Sequence, residues 1–300
     1  MIELPDTRDV DLKICWVIAL EPEAKPLIDL FDLHLLSNNL NFPVYINLKS
    51  GHALVISGIG SSKAAAAATY LKMLFNVQRY VGWINIGIAG FCEEPIGQLF
   101  QAIKVHDTAR KTSYFPGFRL SKIVKCQTLH TVAQPETKYS EAVLFDMEAS
   151  GFCELASMFS CNELVFVLKI VSDTPKSPVS TVSREAITQL IYQNKNKLRE
   201  IISRIEKLVN DEKKRLHVPE EVYQYFERYH FTQSNRYKFL QAYKKWKSAF
   251  PDGKLARTLA AGNSASELIS NLESELFLAV KDWKLCLLYT SPSPRDREKS

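Results

Sequence analysis

No apolar run in the 300-residue sequence approaches the ~18 residues of a membrane span. Its opening, Met1-Ile-Glu-Leu-Pro-Asp-Thr-Arg-Asp-Val-Asp-Leu-Lys13, has acids and a proline where a secretory leader would have basic residues and then an apolar stretch. A cytoplasmic chain, neither exported nor membrane-bound, is expected. Eleven glycines and 13 prolines are too few for a collagen-like or low-complexity protein. The six cysteines (Cys15, Cys92, Cys126, Cys153, Cys161, Cys286) include no C-x-x-C pair and have no histidine at ligand spacing. That argues against zinc and against a disulfide framework, so they read as buried or free thiols. A strong charge excess is missing too: the formal net charge of +5 is too mild to name a partner.

What the chain has is core-forming material. With 46% hydrophobic and 24% charged residues it can bury a sizeable interior, and its length suits one large domain or two ordinary ones. The last fifteen residues are set aside, because Cys286-Leu-Leu-Tyr-Thr-Ser-Pro-Ser-Pro-Arg-Asp296 reads as the in-frame translation of a sequencing-library adaptor. On that reading the natural chain departs from this one near Leu285.

From residue 12 to about 210, short apolar runs alternate with helical stretches, the pattern of a layered α/β domain. Five strands are predicted, over 12–20, 53–57, 80–86, 98–105 and 164–171; their near-continuous β-branched and aromatic character suits strands covered on both faces. Helices are predicted over 61–75, where two serines precede a run of alanines, over 147–159, and over 183–209. Asp211-Glu-Lys-Lys-Arg-Leu-His-Val-Pro219 is a charged breaker, and strand patterning ends there. The expected organisation is an α/β domain over 1–212, a helical extension over 213–285 and the adaptor-like tail over 286–300.

Five short islands carry the chemistry: Ala19-Leu-Glu-Pro-Glu-Ala24, Ser57-Gly-Ile-Gly60, Asn85-Ile-Gly-Ile-Ala-Gly90, Asp146-Met-Glu148 and Ser172-Asp173. All but the fourth are placed at the carboxyl end of a predicted strand, the rim where layered α/β domains bind ligands. Each has a plainer reading as well. Glu21 and Glu23, or Asp146 and Glu148, suit first-turn acids that complement a helix dipole, and Asp173 before Thr174-Pro175 suits a turn.

Taken in order, the islands resemble the nucleoside phosphorylase and nucleosidase family, most closely the 5′-methylthioadenosine/S-adenosylhomocysteine nucleosidases, whose motifs run A-M-E-x-E, S-G-I-G, N-x-G-x-A-G, E-M-E-A and S-D. The match spans roughly residues 12 to 210. It implies a three-layer αβα sandwich around a central mixed sheet, here followed by the all-helical extension. It also implies an N-ribosyl hydrolase acting as a homodimer on a small adenine-bearing nucleoside such as 5′-methylthioadenosine or S-adenosylhomocysteine, with neither metal nor organic cofactor. Cleaving a purine N-glycosidic bond develops positive charge on the ribose and negative charge on the base. By the resemblance Asp173 protonates the base, Glu23 activates water, Glu148 holds the ribose hydroxyls and Met147 lies against the sugar. Ile88, Ala89, Gly90 and Ser172 complete the substrate contacts.

Departures from the pattern qualify that expectation. Ile88 stands where the family commonly has serine, and no arginine lies near the first islands, so hydrolysis is favoured over phosphorolysis. Phe91 replaces a small residue and is expected to narrow or retune the pocket. The span from Asp107 to Asp146 is about half the family's length, which puts the base and 5′ pockets in question; His130, Tyr114, Phe115 and Phe118 are candidates for a rebuilt lining. Two rival functions follow: a nucleoside-binding regulatory module with little or no turnover, and a nucleic-acid-binding protein acting through the extension. Between Lys213 and Arg257 there are eleven lysines and arginines against four acids, interleaved with aromatics. Tyr225, Tyr229, Phe239, Tyr243 and Trp246 also fit helix spacing and would make a small core, which is the favoured reading of that segment.

Overall fold

A computed structural model of the chain describes residues 10–37, 40–93, 95–139 and 141–283, and in it the chain divides into two compact units at Leu216/His217. The adaptor-like tail lies outside the described residues.

The first unit is built on strands β1 (Ile14–Ile18), β2 (His34–Leu35), β3 (Val44–Asn47), β4 (His52–Ile56), β5 (Gly82–Gly90), β6 (Leu99–Asp107), β7 (Thr112–Tyr114), β8 (Lys125–Thr131), β9 (Leu144–Asp146) and β10 (Val165–Asp173). Its helices are α1 (Glu21–Leu30), α2 (Ser61–Leu74), α3 (Ala149–Phe159), α4 (Arg184–Gln193) and α5 (Lys195–Leu216). Strands β10, β5, β1 and β4 lie side by side and parallel, and β3 and β2 extend that edge antiparallel. Beyond β10 the sheet continues through antiparallel β6 and then parallel β8 and β9; β9 returns to pair antiparallel with β5 at Gly90↔Phe145. The mixed sheet therefore closes on itself through β5, β10, β6, β8 and β9 while β1 to β4 form an open wing. The predicted mixed α/β architecture is present, with partial closure as an added feature.

Side-chain alternation along β1 explains the layering. Ile14, Trp16 and Ile18 join one apolar cluster with Leu27 of α1 and Leu198, Ile201, Ile202, Ile205 and Val209 of α5. Cys15 and Val17 join a second with Ala64, Ala67, Ala68 and Leu71 of α2 and Phe152, Cys153 and Ala156 of α3. The small alanine face recurs at helical spacing. It is matched by Gly151 on α3, where a Cβ would fall 2.0 Å from the Ser61 carbonyl oxygen. The predicted single helix over 183–209 is instead two. Asn194 interrupts it, its Nδ2 donating to the carbonyls of Gly97 and Leu190 at 3.0 Å each, a side-chain competition that the apolar spacing does not reveal.

The second unit consists of α6 (Glu220–Arg228), α7 (Gln233–Ala249), α8 (Leu255–Thr258) and α9 (Ala265–Trp283). Val222, Tyr225, Phe231, Phe239, Tyr243, Trp246, Leu255, Leu268 and Leu272 form its interior, and Tyr229 packs against it. The Trp246 indole N–H donates to Glu275 at 2.7 Å, and Thr232 caps α7 by accepting from the Asn235 N–H at 3.2 Å. Among the described residues no helix is long and apolar enough to cross a membrane.

Candidate active site

The carboxyl ends of β1, β4, β5 and β10 and the start of α3 converge on one cavity of 220 Å³. Glu23, Ile88, Ala89, Gly90, Met147, Glu148, Ser172 and Asp173 all line it, so every residue given a role by the resemblance meets there. Glu21 does not: it pairs with Arg184 on the surface at 2.8 Å. A wider, open cleft of 690 Å³ adjoins the cavity through the shared residues Ile59, Val132 and Met147, and is bordered by Lys63, Asp107, Arg110 and Glu154.

Glu23 is the third residue of α1. Its Oε2 accepts the Leu20 N–H at 2.9 Å, the backward reach of an acid that caps a helix start, and its Oε1 accepts the Ile88 N–H at 2.9 Å. The plain helix-start role and a site role are thus combined in one side chain. Gly87 makes the second bond feasible, since a Cβ there would lie 2.7 Å from Glu23 Oε1. Ile88, in the position where the resemblance expects serine, offers the site its backbone N–H and an apolar side chain.

Glu148 precedes α3. It accepts the Gly60 N–H at 2.9 Å and the Met147 N–H at 3.3 Å. Gly60 has φ +116°, a backbone angle that side-chain-bearing residues rarely adopt, and this turn aims its N–H at Glu148. Asp146 accepts from Ala149 N–H at 2.9 Å and from the Thr131 hydroxyl at 2.8 Å, and forms an ion pair with Lys169 at 2.8 Å. Lys169, 1% exposed on β10, is a buried cation among Glu23, Asp146 and Glu148. Burial works against its charge, but the surrounding carboxylates outweigh that and hold its pKa above the ordinary lysine value. Burial raises the Glu23 pKa, opposed by the Ile88 N–H and the Lys169 charge. Burial, with the Asp146 charge next, pushes Glu148 up to about 7. The buried cluster therefore holds the Lys169 cation beside two carboxyls, Glu23 and Glu148, whose affinity for a proton burial has raised, a setting suited to proton transfer.

Asp173 ends β10, where a register shift between Val171 and Asp173 marks a bulge. Bulges re-aim side chains next to sites. Its Oδ1 accepts the Ser172 hydroxyl and its Oδ2 the Tyr139 hydroxyl.

The shortened span is rebuilt differently from the sequence expectation. His130 sits between His106, tilted to it, and Phe145, edge-on to it, with ring centroids 5.2 and 5.9 Å away; Tyr114 and Phe118 pack on the two apolar clusters, and Phe115 is exposed. None of these four lines the cavity, which takes Val132, Pro135, Glu136 and Phe145 from that stretch instead. Phe91 is buried edge-on against Phe100 at 5.6 Å and belongs to the core rather than to the cavity wall. Sequence reasoning missed Lys169 and Tyr139. The first had a signal, a lone charge inside an eight-residue apolar run, because a buried charge needs partners. The second, in a polar loop, had none.

No family model and no curated protein matches the sequence. Solved structures do match. 5′-Methylthioadenosine nucleosidase from Arabidopsis thaliana is 18% identical with a TM-score of 0.55 over 65% of this chain and 96% of that one. 5′-Methylthioadenosine/S-adenosylhomocysteine nucleosidase from Helicobacter pylori is 16% identical with a TM-score of 0.53 over 64% and 98%, and futalosine hydrolase from the same organism gives the same four values. Over about two thirds of its length, the chain has the fold of the nucleosidases.

Proposed function

We propose that the first unit hydrolyses the N-glycosidic bond of an adenine-bearing nucleoside such as 5′-methylthioadenosine or S-adenosylhomocysteine. The observation that carries this reading is the meeting of Glu23, Glu148 and Asp173, brought from distant stretches of sequence, on one cavity with a buried lysine behind them. In the proposed reaction the C1′–N9 bond breaks with its electron pair going to the base, and Asp173 delivers a proton to N7. Water bonds to C1′ and gives its proton to Glu23, whose burial favours proton acceptance. Glu148 accepts the ribose hydroxyls, and the anionic surroundings favour the developing cation on the sugar.

Water suits this site better than phosphate as the nucleophile. Lys169, the buried cation, is already paired with Asp146 at 2.8 Å, and Glu23, Asp146 and Glu148 would repel an incoming phosphate. Chromatographic detection of free adenine from 5′-methylthioadenosine tests the reading. Release by the wild type, independent of added phosphate and abolished in Asp173→Asn with the fold intact, is the expected result. A protein that binds the nucleoside and frees no base would be a binding module, and the hydrolase reading would be lost.

A further inference from the structure

The described residues of the loop between β8 and β9 are largely solvent-exposed, yet within 133–139 one residue is buried: Tyr139, 6% exposed. Its φ of +47° is costly for a residue with a side chain and persists only where its surroundings hold it. Two contacts do so. The ring stands edge-on to Phe145, with centroids 6.0 Å apart and planes at 83°, and the hydroxyl donates to Asp173 Oδ2. Gly90 leaves room for this approach: a Cβ there would sit 2.6 Å from Asp173 Oδ2 and 2.7 Å from Tyr139 Cε1. Asp173 and Gly90 line the cavity, while Tyr139 does not, so the tyrosine reaches the carboxylate from outside the space a ligand would fill.

We infer that Tyr139 is a positioning residue for base departure, fixing the Asp173 carboxyl so that it presents its proton to the leaving base. The inference rests on the hydrolase reading above. Burial, with the Asp173 bond next, raises the Tyr139 pKa, so the phenol remains a donor and Oδ2 remains its acceptor. The transferable proton is then carried on Oδ1. The Ser172 hydroxyl, which reaches both Oδ1 and the Ala89 carbonyl oxygen (3.4 Å), can turn to the latter when Oδ1 is protonated. As the C1′–N9 electrons pass to the base, that proton moves from Oδ1 to N7, and the carboxylate left behind is stabilised by the two hydroxyls.

The test is Tyr139→Phe, which keeps the ring against Phe145 and removes only the hydroxyl. A hydrogen bond to a charged group has a worth that corresponds to about a 10- to 100-fold change in rate. The expected result is a fall of that size in kcat for 5′-methylthioadenosine with KM changed less than about threefold, the pattern of an interaction used in the transition state. A second substrate isolates the proton: the 4-nitrophenyl riboside with the same 5′ group has a leaving group that needs no protonation, so the variant and the wild type should cleave it at similar rates. Equal losses on both substrates would mark Tyr139 as merely structural and overturn the inference, as would an unchanged kcat on the nucleoside. Those results would leave the hydrolase reading standing. A wild-type chain that cleaves neither substrate would sink that reading and this inference with it.

Discussion

Replacing Glu148 by glutamine tests the electrostatics of the site without reference to any substrate. Glutamine retains an oxygen for the Gly60 N–H and removes the charge that burial and Asp146 disfavour. Below pH ~4.5 the wild-type carboxyl is protonated in both the folded and the unfolded chain, and the two proteins should differ only by small packing effects. Between pH ~4.5 and about 7 the unfolded chain releases the proton while the folded one keeps it, so the native state loses stability as pH rises; above about 7 the loss is complete. A carboxyl moved from 4.5 to about 7 accounts for about 3 kcal/mol, at ~1.36 kcal/mol per pH unit. Glu148→Gln should thus gain about 3 kcal/mol on the wild type between pH 4.5 and pH 8. Urea-dependent hydrogen exchange of peptides covering β5 reports the first unit separately from the helical one, and it would be run on both proteins at both pH values. A relative gain below ~1 kcal/mol, or one that appears at the acidic end, would refute the argument that Glu148 is held as a reluctant anion.

Asp146→Asn should leave Lys169 buried without its ion partner and cost about 3–5 kcal/mol in the same exchange measurement, and adding Lys169→Met should recover much of that loss. Gly151→Ala forces a Cβ toward backbone that cannot swing aside, 2.0 Å from the Ser61 carbonyl, so α2 and α3 must separate; a loss of at least ~3 kcal/mol in stability is expected, and a variant as stable as the wild type would show that the two helix starts are not in contact.

Legibility in the sequence followed burial. The strands predicted over 12–20, 53–57, 80–86, 98–105 and 164–171 are β1, β4, β5, β6 and β10, most of whose residues are inaccessible, so that apolarity alone marks them. The strands that went unseen are short or half-wetted. β2 is two exposed residues, β3 alternates buried and intermediate positions over four, and β8 carries Lys125 to His130 with a single fully buried residue among them. β8 and β9 owe their existence to closure of the ring, a long-range pairing that no local window contains. The same division holds in the site. Glu23 and Asp173 lie in islands tied to predicted strand ends and Glu148 in an island placed by the order of the motifs, so all three could be named, whereas Lys169 was passed over although a lone charge within an apolar run is a signal. Tyr139 reaches Asp173 only through the path of a loop, and path is what composition does not encode.

Counting acceptor capacity separates the roles within the acidic cluster. An ionised carboxyl can accept about four hydrogen bonds. Asp146 uses three, from Ala149, Thr131 and Lys169, and so has little left to offer a ligand. Glu23 and Glu148 use two each, every one from a backbone N–H that fixes the side chain without neutralising it. A fold built for stability alone would gain by replacing a buried ion pair and its neighbouring acids with apolar side chains of similar volume. Here Asp146 and Lys169 compensate each other, and the two acids with spare acceptor sites are held beside the cavity at raised pKa. The charge that destabilises the fold is thereby concentrated on the side chains with capacity to receive a proton or a hydroxyl, where a cationic sugar would relieve it.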